Sequence, residues 1–257
     1  MITHELRLTN HQGWRTGLAQ LLRAENGRWW RTRRWWVQAL IWLALLNGIL
    51  ATAVWANDGG GQDSAIRLFF DVAHAFVTIG AVVLMQSAIV GEKQAGTAAW
   101  LLSKPVSRAA FVLAKGLSTW LAALILIILL QGGLAYGQLA LKWGEVGLRP
   151  FAAALLMAGL HLSFYLMLTL MLGTFFRSRG PVVGIPIALF FIPIALASVL
   201  QQVTPWWFAL TPTAFVLLAG DVATGAMSVP FVPLLATAVW TILFVATAVW
   251  RFGREQF

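Results

Sequence analysis

The chain contains no cysteine, which excludes disulfides and thiolate-held metals. Charge is also scarce. Asp, Glu, Lys and Arg make up 11% of the 257 residues and hydrophobic residues 60%, where a soluble domain has about 25% and about 45–50%. Acids are the rarer sign, nine against eighteen bases. Gly-Lys-Ser and Gly-Lys-Thr are both absent, so the chain has no nucleotide-binding P-loop of its own. His4-Glu5 opens like the zinc-protease pattern H-E-x-x-H, but Leu8 stands where the second histidine belongs. Asp58-Gly59-Gly60-Gly61 is glycine-rich but leads into no strand-to-helix unit.

What is present is apolar sequence in long runs. A membrane-spanning helix needs about 20 predominantly apolar residues to cross a ~30 Å hydrocarbon core. Six stretches qualify: 35–55, 69–90, 111–136, 151–176, 181–200 and 231–250. The first starts late and follows many arginines, so it is expected to be a retained span and not a cleaved signal peptide. The fold class expected is an all-α membrane protein with six transmembrane helices.

The bases sort by side. Arg7, Arg15, Arg23, Arg28, Arg31, Arg33 and Arg34 precede the first span. Lys93, Lys104, Arg108, Lys115, Arg177, Arg179, Arg251 and Arg254 fall on the same side if six spans are counted. Only Arg67, Lys142 and Arg149 fall on the other. Lysine and arginine favour the cytoplasmic side, so both termini are expected there. The formal charge of +9 is thus a topology signal, and no nucleic-acid partner is expected.

Residues 1–34 are too polar to span. In "GLAQLLRAENGRWWRTRRWW" the apolar Leu18, Leu21, Leu22 and Trp29 alternate with arginines, and Trp29, Trp30, Trp35 and Trp36 flank the arginine cluster. Tryptophan favours the headgroup level, and arginine reaches phosphate from there. The pattern fits an amphipathic helix on the inner leaflet, with Gly27 as a candidate bend. A disordered basic arm is the other reading. The connection 201–230 has no lysine or arginine, yet "PWWFALTPTAFVLLAG" is strongly apolar. It reads as short helices dipping back into the outer leaflet, shielded by protein, or as interfacial packing of Trp206 and Trp207.

Ionisable groups inside spans are costly, which makes them functional candidates. Arg67, Asp71 and His74 share one helix face by spacing. They form either a boundary salt-bridge cluster or a substrate-gating or proton-linked site. His161 lies deep in the fourth span, either hydrogen-bonded to a neighbouring helix or acting as a ligand or relay. No second group with metal-ligand spacing accompanies it. Lys115 is near enough to the third span's start to snorkel. Gly133 with Gly137, and Gly180 with Gly184, are small-residue pairs that permit close helix contact and offer a weak signal for a dimer face.

The remaining polar segment is "VGEKQAGTAAWLLSKPVSR", residues 90–108. Thr97 can cap a short helix, Lys104-Pro105 would end it, and Ser107 can cap the third span. Trp100, Leu101 and Leu102 would offer an apolar docking surface. Spacing alone does not separate a docking helix from an amphipathic connector.

"GEKQAGTAAWLLSKPVSRAAFVLAKGL" resembles the signature of type-2 ABC export permeases, with "LGTFFRSRG" (172–180) and the apolar outer connection as weaker matches. That pattern runs from an acidic residue through Gly-Thr, paired leucines and Pro-x-Ser-Arg to a later Lys. Here these are Glu92, Gly96, Thr97, Leu101, Leu102, Pro105, Ser107, Arg108 and Lys115. Ala114 replaces the usual Gly before the Lys, and Gln94 replaces a second acid, leaving Glu92 as the acidic residue of the motif.

The resemblance implies a permease subunit in a multi-pass cell membrane location, of the prokaryotic inner or plasma membrane type. A second permease copy or paralogue and separate ABC ATP-binding subunits would complete the transporter, with membrane lipids around it. ATP and Mg would be bound by the partner, leaving no cofactor, metal or catalytic residue in this chain. Residues 1–34 would be the connecting helix, 35–250 the six-span domain with coupling segment 91–108, and 251–257 a cytoplasmic tail. Glu92, Gly96, Thr97, Leu101, Leu102, Pro105 and Arg108 are the expected coupling residues, and Asp71, His74 and His161 the intramembrane polar candidates. A secondary transporter or channel, an intramembrane enzyme and a non-transporting scaffold are the rival classes.

Overall fold

The computed structural model describes residues 13, 15–56, 60–96, 106–203 and 205–255. His4, Glu5, Arg7 and Asp58-Gly59 lie outside the described residues. So do Thr97, Trp100, Leu101, Leu102, Lys104 and Pro105 of the coupling segment. Among the described residues every regular element is a helix. In chain order these are α1 (Leu18–Trp30), α2 (Arg34–Ala56), α3 (Gln62–Met85), α4 (Val90–Gln94), α5 (Arg108–Trp143) and α6 (Leu148–Phe175). Then follow α7 (Arg179–Ala195), α8 (Ala197–Val203), α9 (Pro205–Leu210), α10 (Thr213–Ala223) and α11 (Phe231–Gly253).

Five helical stretches are long and apolar enough to cross a membrane: Arg34–Ala56, Gln62–Gln94, Arg108–Trp143, Leu148–Phe175 and Phe231–Gly253. The expected fifth span, 181–200, has a different form. α7 has 17 residues, about 25 Å of helix, short of the ~30 Å core. Pro186 and Pro193 lie inside it. Each removes a ladder N–H, and the helix stops two residues after the second. The chain turns at Leu196 and restarts as α8.

α6 is the central pillar, with 78% of its most apolar window buried, against 17% for α11. α6 packs on α3, α5, α7, α10 and α11, and its apolar character runs all round, as a helix enclosed on every side requires. The outside of the bundle is also apolar. Leu156 is 74% exposed and Ile242 67%. In water such a surface would drive association, whereas in lipid it is the ordinary exterior.

α1 forms as the amphipathic pattern predicts and packs along α5. The expected bend at Gly27 does not occur: the helix continues to Trp30, with Arg31 N–H donating to Gly27 O at 3.0 Å. The break falls at 31–33 instead. The apolar connection 201–230 folds into short helices, and α10 is buried against α3 and α6.

α2 and α5 are not regular throughout. Leu43–Asn47 and Thr52–Ala56 in α2, and Leu124–Leu129 in α5, are π turns. Such turns leave the helical ladder locally unmatched. Buried amides serve this region. Asn47 Nδ2 donates to Gln131 Oε1 (2.8 Å) and Gln131 O (3.2 Å). Gln131 Nε2 donates to Leu126 O (3.1 Å) within the π turn, and Gln138 Nε2 donates to Asn47 Oδ1 (2.8 Å). These uncharged groups tie α2 to α5 in the interior.

Within the chain, close helix contact comes from Gly80 and Gly132. A Cβ at Gly133, Gly137, Gly180 or Gly184 would meet nothing within 4 Å. One at Gly80 would lie 2.6 Å from the Trp42 indole, and one at Gly132 2.4 Å from Leu155. The indole is rigid and cannot yield as a flexible chain end would. Gly80→Val should therefore destabilise the fold by about 1–3 kcal/mol through overpacking, whereas Gly133→Ala should not. Thermal unfolding of the detergent-solubilised chain distinguishes them, and equal melting temperatures would contradict this packing.

Candidate functional site

The densest set of charged contacts lies where one end of the bundle meets α1. Lys115 stands two turns into α5, and its side chain is only 7% exposed. An ammonium there requires anions, because isolated burial of charge is prohibitive. Two carboxylates supply them: Glu92 Oε1 at 2.7 Å and Glu25 Oε1 at 3.0 Å. Lys115 thus does not snorkel to water as the sequence suggested. α1 and α4 bring carboxylates to it. Arg28 closes the cluster, 3.4 Å from Glu25 and 3.6 Å from Glu92.

A second set joins the far side of the same segment. Lys93 Nζ is 2.9 Å from Glu255 and donates to Thr174 O at 2.8 Å, near the end of α6. Arg108 Nη1 donates to Gly253 O (3.0 Å) and Glu255 O (2.6 Å), at the end of α11. Gln94 Nε2 donates to Arg177 O at 3.0 Å. An ionised carboxylate at 94 would have no proton to donate, which gives the glutamine a local role. Ser107 caps α5 as expected, its Oγ accepting from Ala110 N–H at 3.0 Å. Its own N–H donates to Thr16 O at 3.1 Å.

Residues 92–96 and 106–108 are thus held to α1, α5, α6 and α11, and they bracket 97–105. The chain leaves α4 through Gly96, whose φ of +68° is left-handed. Glycine adopts that conformation at no steric cost. Of the expected coupling residues, Glu92, Gly96 and Arg108 lie in this clasp. Thr97, Leu101, Leu102 and Pro105 lie outside the described residues. Glu92 and Arg108 are engaged within the chain, which the sequence pattern alone did not indicate.

The intramembrane candidates separate. Arg67 pairs with Asp221 of α10, whereas Asp71 is exposed. Gly220 permits that pairing, since a Cβ there would lie 2.9 Å from Arg67 Cγ and 3.3 Å from its Cα. His74 is fully buried and meets His161, with ring centroids 4.9 Å apart and planes at 87°. His74 Nδ1 is 2.7 Å from Phe70 O, a carbonyl, so the nitrogen must donate. Thr78 Oγ1 donates to His74 O (3.0 Å) and lies 2.7 Å from His161 Nε2. Sequence reasoning had placed His74 near a span end. α3 begins at Gln62, making His74 its thirteenth residue, and His161 is the fourteenth of α6. Their equal depth emerges only from these helix starts, because the spans expected at 69 and 151 set the two at unequal depths. Among the described residues no group of three or more His, Cys, Asp or Glu is arranged to hold a metal ion.

The described residues form an all-helical protein with five helices long and apolar enough to cross a membrane, and most of its charged contacts gather in the clasp. The chain belongs to the DUF2705 family, described as a protein of unknown function, whose family model matches residues 48–257. That range contains Glu92, Lys93, Arg108, Lys115 and Glu255, and begins after Glu25 and Arg28. No curated protein matches the chain.

Removing Lys115 strands two carboxylates that are mostly buried. Lys115→Met should cost about 3 kcal/mol, the scale of a broken buried pair. Arg28→Gln should cost at most about 1 kcal/mol, because that guanidinium is 59% exposed. Chemical unfolding in mild detergent measures both. Equal losses would contradict the central place of Lys115.

Proposed function

We propose that this chain is the membrane-spanning subunit of an ATP-driven ABC transporter, of the export type, with ATP hydrolysis in a separate polypeptide. The observation that carries the reading is the clasp. It brackets the 97–105 segment, whose sequence resembles the docking element of such permeases, and ties its flanks to α1, α5, α6 and α11. A push on 97–105 would reach four helices through ion pairs and hydrogen bonds. This is how a rigid element biases a bistable helix packing.

In this reading α7 and α8 together make the fifth of six crossings, both termini are cytoplasmic, and α1 is the connecting helix beside the ATPase. α9 and α10 form the partly re-entrant outer loop, with α10 shielded from lipid by α3 and α6. A second permease copy or paralogue completes the pore. ATP and Mg sit in the partner subunits, and this chain has no catalytic residue. Its location is the cell membrane, as a multi-pass protein of the prokaryotic inner or plasma membrane type.

The His74–His161 contact favours a second reading, a proton-linked secondary transporter, because such proteins place ionisable pairs near the midplane. Against it, one donor of each imidazole is already satisfied within the bundle, by Phe70 O and by Thr78 Oγ1.

Affinity purification of the full chain from its native membrane should retain a subunit carrying a Gly-Lys-Ser/Thr P-loop. Leu101→Asp should lower the complex's transport-coupled ATPase about tenfold, the factor given by 1.4 kcal/mol, with membrane insertion unchanged. A preparation that transports under a proton gradient with no ATP-binding subunit supports the second reading and contradicts the first.

A further inference from the structure

Beside the clasp, where α1 turns into α2, lies a cavity of about 470 Å³ between that elbow and the end of α3. It combines two chemistries. Arg33 and Arg34 stand on it, and neither guanidinium has a carboxylate partner among the described residues. Trp29 stands at the same level, while Val37 of α2 and Val83 and Leu84 of α3 make an apolar wall. Val37 is 38% exposed and Val83 51%, so the wall is open along the bundle's side.

A smaller polar cavity of about 210 Å³ adjoins it, sharing Trp29, Arg34, Leu84 and Ser87. In the smaller cavity Arg28 and Lys115 are balanced by Glu25 and Glu92, and the shared Arg34 adds a third base. The larger one keeps the two positive charges of Arg33 and Arg34 in excess.

We propose that this elbow is a stoichiometric binding site for one anionic phospholipid. The phosphate diester would sit on Arg33 and Arg34, whose planar forks match phosphate oxygens. The glycerol would lie level with Trp29, and one acyl chain along Val37, Val83 and Leu84. Guanidinium groups with tryptophan at the headgroup level are a lipid-facing combination. The open apolar wall separates this occupant from an acidic protein segment, which would need only the charges. A lipid carrying its own ammonium would add a positive charge where two already stand uncompensated, so a net-anionic lipid is selected. Bound there, it would fasten the α1–α2 elbow next to Glu92 and Lys115, making the clasp sensitive to membrane composition. The inference rests on the membrane-spanning reading and is independent of the ATPase partner.

Native mass spectrometry of the full chain, released from detergent micelles, tests it with phosphatidylglycerol and phosphatidylcholine of matched acyl chains. One phosphatidylglycerol should be retained per chain, about tenfold more tightly than phosphatidylcholine, equivalent to about 1.4 kcal/mol. Arg33→Gln with Arg34→Gln should abolish that preference. Arg177→Gln with Arg179→Gln, an equal loss of charge elsewhere, should keep it. Val83→Asn, which leaves the arginines intact, should weaken retention as well. Inorganic phosphate should fail to displace the lipid, because it lacks the chain that the wall holds. Equal retention of the two lipids, equal loss in both arginine variants, full displacement by inorganic phosphate, or no effect of Val83→Asn would overturn the assignment.

Discussion

Lys115 projects from a largely apolar helix into a place that water barely reaches, and two carboxylates from distant parts of the chain come to it. Glu25 arrives on α1 and Glu92 on α4. Without them the ammonium would be an uncompensated charge inside the bundle. This requirement explains why α1, which buries no residue of its own, lies against α5. It also explains why α4 follows α3 after a short turn and does not run into solvent. The N-terminal helix, the end of the second long helix and the start of the third are organised around one cation.

The same end of the bundle repeats that logic with Lys93 and Arg108, which hold the end of α6 and the residues that close α11. The contacts that flank 97–105 therefore form a continuous frame and not a hinge. Away from this end, α2 and α5 contain π turns and buried amides, α7 carries two prolines inside it, and α3 meets α6 through histidine and threonine. Polar contacts in a membrane interior contribute modestly one by one, about 0.6 kcal/mol on average. They are suited to holding one packing against another. A frame at one end and a less regular bundle beyond it suit the proposed role, in which force would enter at 97–105.

Much of this was legible in the chain. Long apolar runs predicted the helical class and five of the long helices, and the arginine and tryptophan pattern predicted α1. Ser107 announced its own cap. The apolar connection with Pro205 and Pro212 read correctly as short helices. Other features were hidden because they are settled by tertiary contact. A lysine one or two turns inside a span reads as a snorkelling residue until Glu25, ninety positions away, is seen beside it. Arg67 had Asp71 within one helical turn, yet pairs with Asp221 across the bundle. Asn47 and Gln131 carry no charge and so raised no flag. The histidine pair was hidden too: counted from the expected spans His74 lies near an end, and only the true helix starts, Gln62 and Leu148, bring it level with His161.

The central claim is that the frame around 97–105 moves as one body. A Cβ on Gly173 would lie 3.3 Å from Ile89 Cβ, near the ~3.8 Å separation that a disulfide requires. The chain has no cysteine of its own, so Ile89→Cys with Gly173→Cys creates a single possible cross-link between the turn before α4 and the end of α6. The decisive measurement is transport-coupled ATPase activity of this variant with the ATP-binding partner proposed for it, before and after oxidation. A rigid frame predicts that coupling survives the cross-link. Loss of coupling on oxidation, restored by reduction, would contradict it.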